Sequence, residues 1–268
     1  MPKKYTLILV PETHWDREWY LPFQEFRIKL VRLTDKLLAI LDSNAEYKSF
    51  TFDGQTIVLE DYLEIRPQER ERIRKHVRDG RLLIGPWYVL PDEFLVSAEA
   101  LVRNLMLGHK IAEEFGRVMK AGYIPDPFGH VSQLPQILAG FGIPNAFFMR
   151  GMGDEADGMK SEFWWEASDG TRVLAVNQVF GYCNAVNLGY ERHDGNWIVN
   201  FEKALQQVRD QMEGLAKKAS TRYLLLNNGC DHVEPQPELP EIIKYVNEHL
   251  EDGEVVHSTY EDFAEKVL

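Results

Sequence analysis

The feature that most narrows the folds open to this chain is its alternation of short apolar runs with longer amphipathic stretches. Residues 5–10 (Tyr-Thr-Leu-Ile-Leu-Val) form a run of strand length, and residues 26–41 then place Leu30, Leu33, Leu37, Leu38 and Leu41 at helical spacing. Strands are predicted again at 49–52, 81–89, 119–124 and 145–149, and helices at 56–65, 67–80, 97–111 and 132–138. Asp169-Gly170 separates two further strands, 162–166 and 171–177, as a hairpin turn. Helices over 201–219, 240–250 and 260–268 then alternate with strands over 222–227 and 254–257. Strand followed by helix implies a mostly parallel α/β sheet. About seven such units predict a seven-stranded β/α barrel of parallel strands with outer helices, a single domain over residues 1–268.

Bulk properties remove several classes of function. The longest apolar runs are strand-length, far below the roughly 20 residues of a membrane helix, so no membrane partner is expected. The basic start Met1-Pro2-Lys3-Lys4 leads straight into a strand and offers no small-residue cleavage site. With 30 basic against 42 acidic residues the net charge is −12, which argues against nucleic acid. The two cysteines, Cys183 and Cys230, lack Cys-x-x-Cys spacing. They are expected to be buried, inert thiols in a cytoplasmic protein, a ligand role being the alternative.

Ionisable residues recur where the predicted strands end. His14 and Asp16 follow the first, Asp53 the second, Asp92 and Glu93 the third, Asp126 and His130 the fourth, and Asp231 with His232 the strand at 222–227. Barrel enzymes place catalytic groups at such positions. His14 and Asp16, two apart on extended backbone, point the same way and suit one metal ion; the alternative is a salt-bridged loop anchored by Trp15 and Trp19. Asp53 and Asp92 are either ligand contacts or turn formers. No nucleophile elbow, phosphate loop or dinucleotide fingerprint is present. Paired carboxylates beside the rings of Trp15, Trp19, Trp87, Tyr88 and Phe128 suit glycoside hydrolysis, with a carbohydrate as the binding partner.

Four ordered motifs carry a resemblance: His14-Trp15-Asp16-Arg17-Glu18-Trp19, Ile84-Gly85-Pro86-Trp87-Tyr88, Pro125-Asp126-Pro127-Phe128-Gly129-His130 and Asn228-Gly229-Cys230-Asp231. Together they resemble the N-terminal catalytic domain of glycoside hydrolase family 38, the α-mannosidases, and within it the bacterial branch that includes mannosylglycerate hydrolases. The resemblance implies a zinc-dependent retaining mannosidase. In it His14, Asp16 and Asp126 are zinc ligands, Asp126 is also the nucleophile, and Asp231 is the acid/base. A retaining outcome calls for carboxyl groups about 5–5.5 Å apart. Trp15, Trp19, Trp87, Asp53, Asp92, Phe128, His130 and His232 are the expected substrate contacts. Family members continue into helical and β domains that supply a further zinc-binding His. Within these residues His130 and His232 are the local substitutes, and the isolated domain is expected to turn over weakly or not at all. The alternatives are a metal-dependent carbohydrate deacetylase and a silent sugar-binding barrel.

Overall fold

The first apolar run becomes the strand on which the sheet is built. The computed structural model describes residues 4–268, so the basic start Met1-Pro2-Lys3 lies outside them. In chain order its elements are β1 (Tyr5–Thr13), α1 (Phe23–Ser43), β2 (Phe50–Phe52), α2 (Ile57–Leu63), α3 (Arg70–Arg78), β3 (Leu82–Leu83), α4 (Ala98–Phe115), α5 (Leu134–Gly140) and β4 (Asn145–Phe148). They continue with β5 (Glu162–Glu166), β6 (Arg172–Asn177), β7 (Tyr190–His193), β8 (Asn196–Val199), α6 (Phe201–Lys218), β9 (Tyr223–Asn228), α7 (Leu239–His249), β10 (Gly253–His257) and α8 (Tyr260–Val267).

Strand β1 pairs in parallel with β9, β10 and β2, and β2 with β3. Because side chains alternate along a strand, β1 serves two cores. Leu7 and Leu9 join the cluster under the helices, with Phe26, Leu30 and Leu205. Ile8 and Val10 turn inward to meet Leu83, Tyr123, Phe147, Val176 and Leu225, and Tyr260 and Phe263 of α8 complete this inner cluster. A third cluster gathers Trp87, Leu105, Leu138 and Phe148, and at about 25 cal/mol per Å² of apolar surface removed from water such burial is the main favourable term in the fold.

Two expectations are corrected. Main-chain pairing does not close into a seven-stranded barrel among the described residues: one five-stranded parallel sheet, a β4-β6-β5 sheet and the separate β7-β8 ribbon share it. Residues 119–124 form no regular strand, although they occupy the place between β3 and β4. The side chain of Asn145 takes over two of the bonds a ladder would make, accepting from Gly122 N–H at 2.9 Å and donating to Lys120 C=O at 3.1 Å. Only a bridge between Tyr123 and Phe147 survives. The third strand likewise stops at Leu83, just before Gly85 turns to φ +73°.

The predicted hairpin at Asp169-Gly170 is present as antiparallel β5-β6. A second hairpin, β7-β8, was not expected; it turns on Asp194-Gly195, both at positive φ as a tight hairpin turn requires. Ser97 caps α4 through its hydroxyl, which accepts from Ala100 N–H. No helix among the described residues is long and apolar enough to cross a membrane.

Candidate active site

The register of β1 on β9 builds the site. Ile8 faces Leu225 and Val10 faces Asn227, and the same offset carried beyond the strand ends bridges His14 to Asp231. The loops stay laced together there: His14 N–H donates to Cys230 C=O at 3.2 Å and His232 N–H to His14 C=O at 2.9 Å. A ladder of inward side chains thus changes from apolar to ionisable at its upper end.

His14 is buried and held from behind. Its Nδ1 lies 3.1 Å from Asp53 Oδ1, while the other Asp53 oxygen accepts Trp15 N–H at 2.7 Å and Gln55 Nε2–H at 2.6 Å. With Nδ1 donating to Asp53, Nε2 is left to face the cavity, where Asp16 Oδ1 stands 3.6 Å away. Burial alone would lower the His14 pKa, but Asp53 and Asp16 outweigh it and hold the imidazole well above its usual range. Burial raises Asp53 despite the pull of His14. Asp16 moves the other way: its partial burial is outweighed by His14 and His232, which keep it below the usual carboxylate range.

Asp126 lines the same cavity of about 140 Å³ as His14, Asp16, Asp92 and Phe128. Arg150, just beyond β4, reaches Asp126 Oδ1 at 2.6 Å as an ion pair and lies 5.1 Å over the Phe128 ring. Partial burial raises the Asp126 pKa, opposed by His14 and Arg150. Asp231 is exposed and accepts a hydrogen bond from Tyr182 Oη at 2.9 Å. The Tyr182 ring also packs 4.9 Å from His14.

Several expected contacts turn out to lie behind the surface. Asp53 is wholly buried and so orients His14 without reaching a ligand. Trp87 has no exposed surface and donates its indole N–H to Tyr123 C=O. Trp15 is nearly buried too, whereas Trp19, the other expected anchor, is 76% exposed, and Phe128 is 74% exposed on the rim. His130 spends both ring nitrogens, on Glu93 Oε1 at 2.7 Å and Arg150 C=O at 2.8 Å. His232 stacks on Phe26 and keeps Nε2 3.1 Å from Asp16 C=O. Both histidines brace loops.

Sequence reasoning passed over Arg150, Tyr182 and Glu12. Glu12 is buried directly below His14 on the inward face of β1, with neither carboxylate oxygen hydrogen-bonded; burial, with Asp53 adding to it, raises its pKa well above normal. Gly229 leaves room for it, since a Cβ there would lie 2.4 Å from Glu12 Oε1. The expected free thiols are also corrected: Cys183 and Cys230 form a disulfide, because the loop after β6 folds back onto β9.

In donor chemistry, a histidine and two carboxylates around one cavity suit a zinc-like ion, and the Asp53–His14 contact is the kind of outer support such a ligand needs. His14 and Asp16 are already adjacent, while Asp126 is drawn toward Arg150. Its Oδ1 is the oxygen that Arg150 holds, at 2.6 Å, without a well-aligned hydrogen bond.

Comparison with known proteins gives the chain's family. Residues 4–268 match the model of the glycosyl hydrolases family 38 N-terminal domain. A Halalkalibacterium halodurans protein named "Putative mannosylglycerate hydrolase" is 39% identical, over 98% of this chain and 30% of its own length. The crystal structure of an α-mannosidase from Enterococcus faecalis V583 superposes with a TM-score of 0.89 at 34% identity, over 98% of this chain and 29% of that one. A Mycobacterium smegmatis structure described as a "putative polysaccharide deacetylase" superposes at 0.62 with 15% identity over 100% of this chain and 92% of its own, a likeness of fold alone. The chain spans about 30% of the length of these two relatives, the hydrolase from Halalkalibacterium and the mannosidase from Enterococcus. On the family match and the 39% identity, this chain belongs to glycoside hydrolase family 38, as a match to its N-terminal domain.

Proposed function

We propose that these residues are the catalytic domain of a retaining, zinc-dependent α-mannosidase, with mannosylglycerate-like or mannosyl-oligosaccharide substrates. One observation carries the reading: continued β1-β9 register sets Asp231 beside His14, while His14, Asp16 and Asp126 line one cavity.

In this reading His14, Asp16 and Asp126 hold the metal. Held there, a zinc ion would supply Lewis-acid chemistry and would favour the anionic form of Asp126. A carboxylate oxygen of Asp126 attacks the anomeric carbon as the bond to the leaving oxygen breaks, and Asp231 gives that oxygen its proton. Asp231 then takes a proton from water, the water oxygen bonds to the anomeric carbon, and Asp126 is released. Arg150 steadies Asp126 as an anion, and Tyr182 fixes the direction of the Asp231 carboxylate. With His130 and His232 bracing their loops, a water molecule or a donor from outside these residues would complete the set.

Incubation with a fluorinated mannosyl donor that traps the ester tests this. Intact-mass and peptide analysis should find one mannosyl adduct, on the peptide bearing Asp126, and none in Asp126→Ala. An adduct that persists in Asp126→Ala would sink the assignment. Acetate release from an acetylated sugar would point to the deacetylase alternative, and affinity without either product to a silent binding domain.

A further inference from the structure

The disulfide sits against the proposed acid/base. Cys183 follows Tyr182 and Cys230 precedes Asp231, so the covalent link spans the same two segments as the 2.9 Å Tyr182–Asp231 hydrogen bond. Both sulfurs and a carboxylate oxygen of Asp231 lie within 4.8 Å of one another, the only three-donor set this tight among the described residues. The cysteines are partly exposed and Asp231 is exposed, so solutes reach them.

Both backbones are held independently of the sulfurs. Asn227 N–H donates to Asn184 Oδ1 at 2.7 Å, Ala185 N–H donates to Asn227 C=O at 3.0 Å, and Cys230 C=O accepts from His14 N–H at 3.2 Å. With the disulfide opened, the two Cα atoms therefore stay near their 4.7 Å separation. That spacing lets two thiolates reach the roughly 3.8 Å apart at which they share one tetrahedral ion, given metal–sulfur bonds of about 2.3 Å.

We infer that Cys183, Cys230 and Asp231 form a second metal site when reduced, one that takes a soft or borderline divalent cation and withdraws Asp231 from acid/base duty. The reductant is a dithiol: it becomes a disulfide as the protein's disulfide becomes two thiols. The cation displaces both thiol protons and binds two thiolates and the carboxylate. Thiolates select such ions over the harder ones that oxygen ligands suit. Cation binding is independent of the reaction the domain runs; only the loss of acid/base duty rests on the mannosidase reading.

The test is a Cd²⁺ titration of the chain, oxidised or reduced with a phosphine under anaerobic conditions, followed by the sulfur-to-cadmium charge-transfer band. As the chain has only two cysteines, this band reports on them alone, and Cd²⁺ at His14 and Asp16 does not produce it. The reduced chain should develop the band and saturate at one equivalent, and the oxidised chain and Cys183→Ala should not saturate there. Asp231→Asn should keep the band but bind more weakly, by at least the roughly tenfold that loss of even an outer-shell partner costs. A reduced chain with no band, an Asp231→Asn variant that binds as tightly as wild type, or two thiols free to alkylate before reduction would each overturn the inference. Failure of mannosyl trapping with the cadmium band intact would instead count against the mannosidase reading.

Discussion

Replacing Asp53 with Asn isolates what the buried carboxylate does for His14. Asp53 stands at φ +55°, a conformation that Asn also tolerates, so the backbone is undisturbed. The carboxylate accepts from His14, Trp15 and Gln55 at 3.1, 2.7 and 2.6 Å. Asn has one oxygen where Asp has two. If that oxygen keeps Trp15 and Gln55, its NH₂ group faces His14 Nδ1 as a donor. The imidazole proton must then move to Nε2, the nitrogen that looks toward Asp16 and the cavity. A protonated Nε2 cannot ligate, so metal binding has to reverse the tautomer and break the new bond. Loss of such outer support costs about 10–100-fold in affinity, or roughly 1.4–2.7 kcal/mol. The assay is competition for Zn²⁺ against a chromophoric chelator, run on the oxidised protein so that the thiols take no part, with circular dichroism as the check on folding. A folded Asp53→Asn variant binding zinc within about twofold of wild type would refute the argument, because His14 would then need no acceptor behind it.

Three further outcomes follow from particular contacts. Tyr182→Phe keeps the ring beside His14 but deletes the hydrogen bond to Asp231; kcat on an aryl α-mannoside should fall roughly 10- to 150-fold with KM little changed, since a bond to a charged group is worth about 1.5–3 kcal/mol, and unchanged kcat would remove Tyr182 from the site. Gly108→Ala would set a Cβ 2.2 Å from Pro86 C=O and 2.3 Å from the Trp87 carbonyl carbon, so urea unfolding should reveal a loss of about 3 kcal/mol, and a loss under about 0.5 would contradict so close a helix approach. Burial pushes His257 down to about 4; as its folded pKa is depressed, the unfolded chain binds the extra proton between about 6.5 and 4, so stability is full above that window and falls with pH through it. From pH 7 to pH 5 the term amounts to about 2 kcal/mol, which His257→Gln should abolish, and equal acid sensitivity in the two proteins would refute it.

What was legible depended on whether a local pattern decided the matter. The strand β1 and the helices α1, α4 and α6 follow from residue spacing, because the apolar positions that define each element lie within one window of sequence. Residues 119–124 failed as a strand for a distant reason, since the competing donor and acceptor belong to Asn145. The disulfide closes over a separation of 47 residues and depends on how the loop after β6 lies on β9. Hairpin β7-β8 had its Asp-Gly signal, but its flanks, Tyr-Glu-Arg-His and Asn-Trp-Ile-Val, lack the apolar alternation that marked the first hairpin. Arg150 was within reach of the strand-end rule that selected His14 and Asp126, had the rule been applied to cations as well.

Strand-end position alone could not separate groups that face the cavity from groups beneath it, yet parity along two strands does so. Along β1 and just past its end the inward row runs Ile8, Val10, Glu12, His14, and at the β9 offset its neighbours are Leu225, Asn227, Gly229 and Asp231. The lowest pair is apolar and joins the inner core. At the next, Asn227 receives the Tyr260 hydroxyl at 3.0 Å. The third sets a buried carboxyl against a glycine, since no side chain would fit opposite Glu12. At the top, His14 lines the cavity and Asp231 beside it is exposed. Fully buried without a hydrogen bond, the Glu12 carboxyl is favoured in its neutral form. A carboxylate in its place would put a negative charge under both His14 and Asp231, so the upward shift of Glu12 favours a neutral floor beneath that pair.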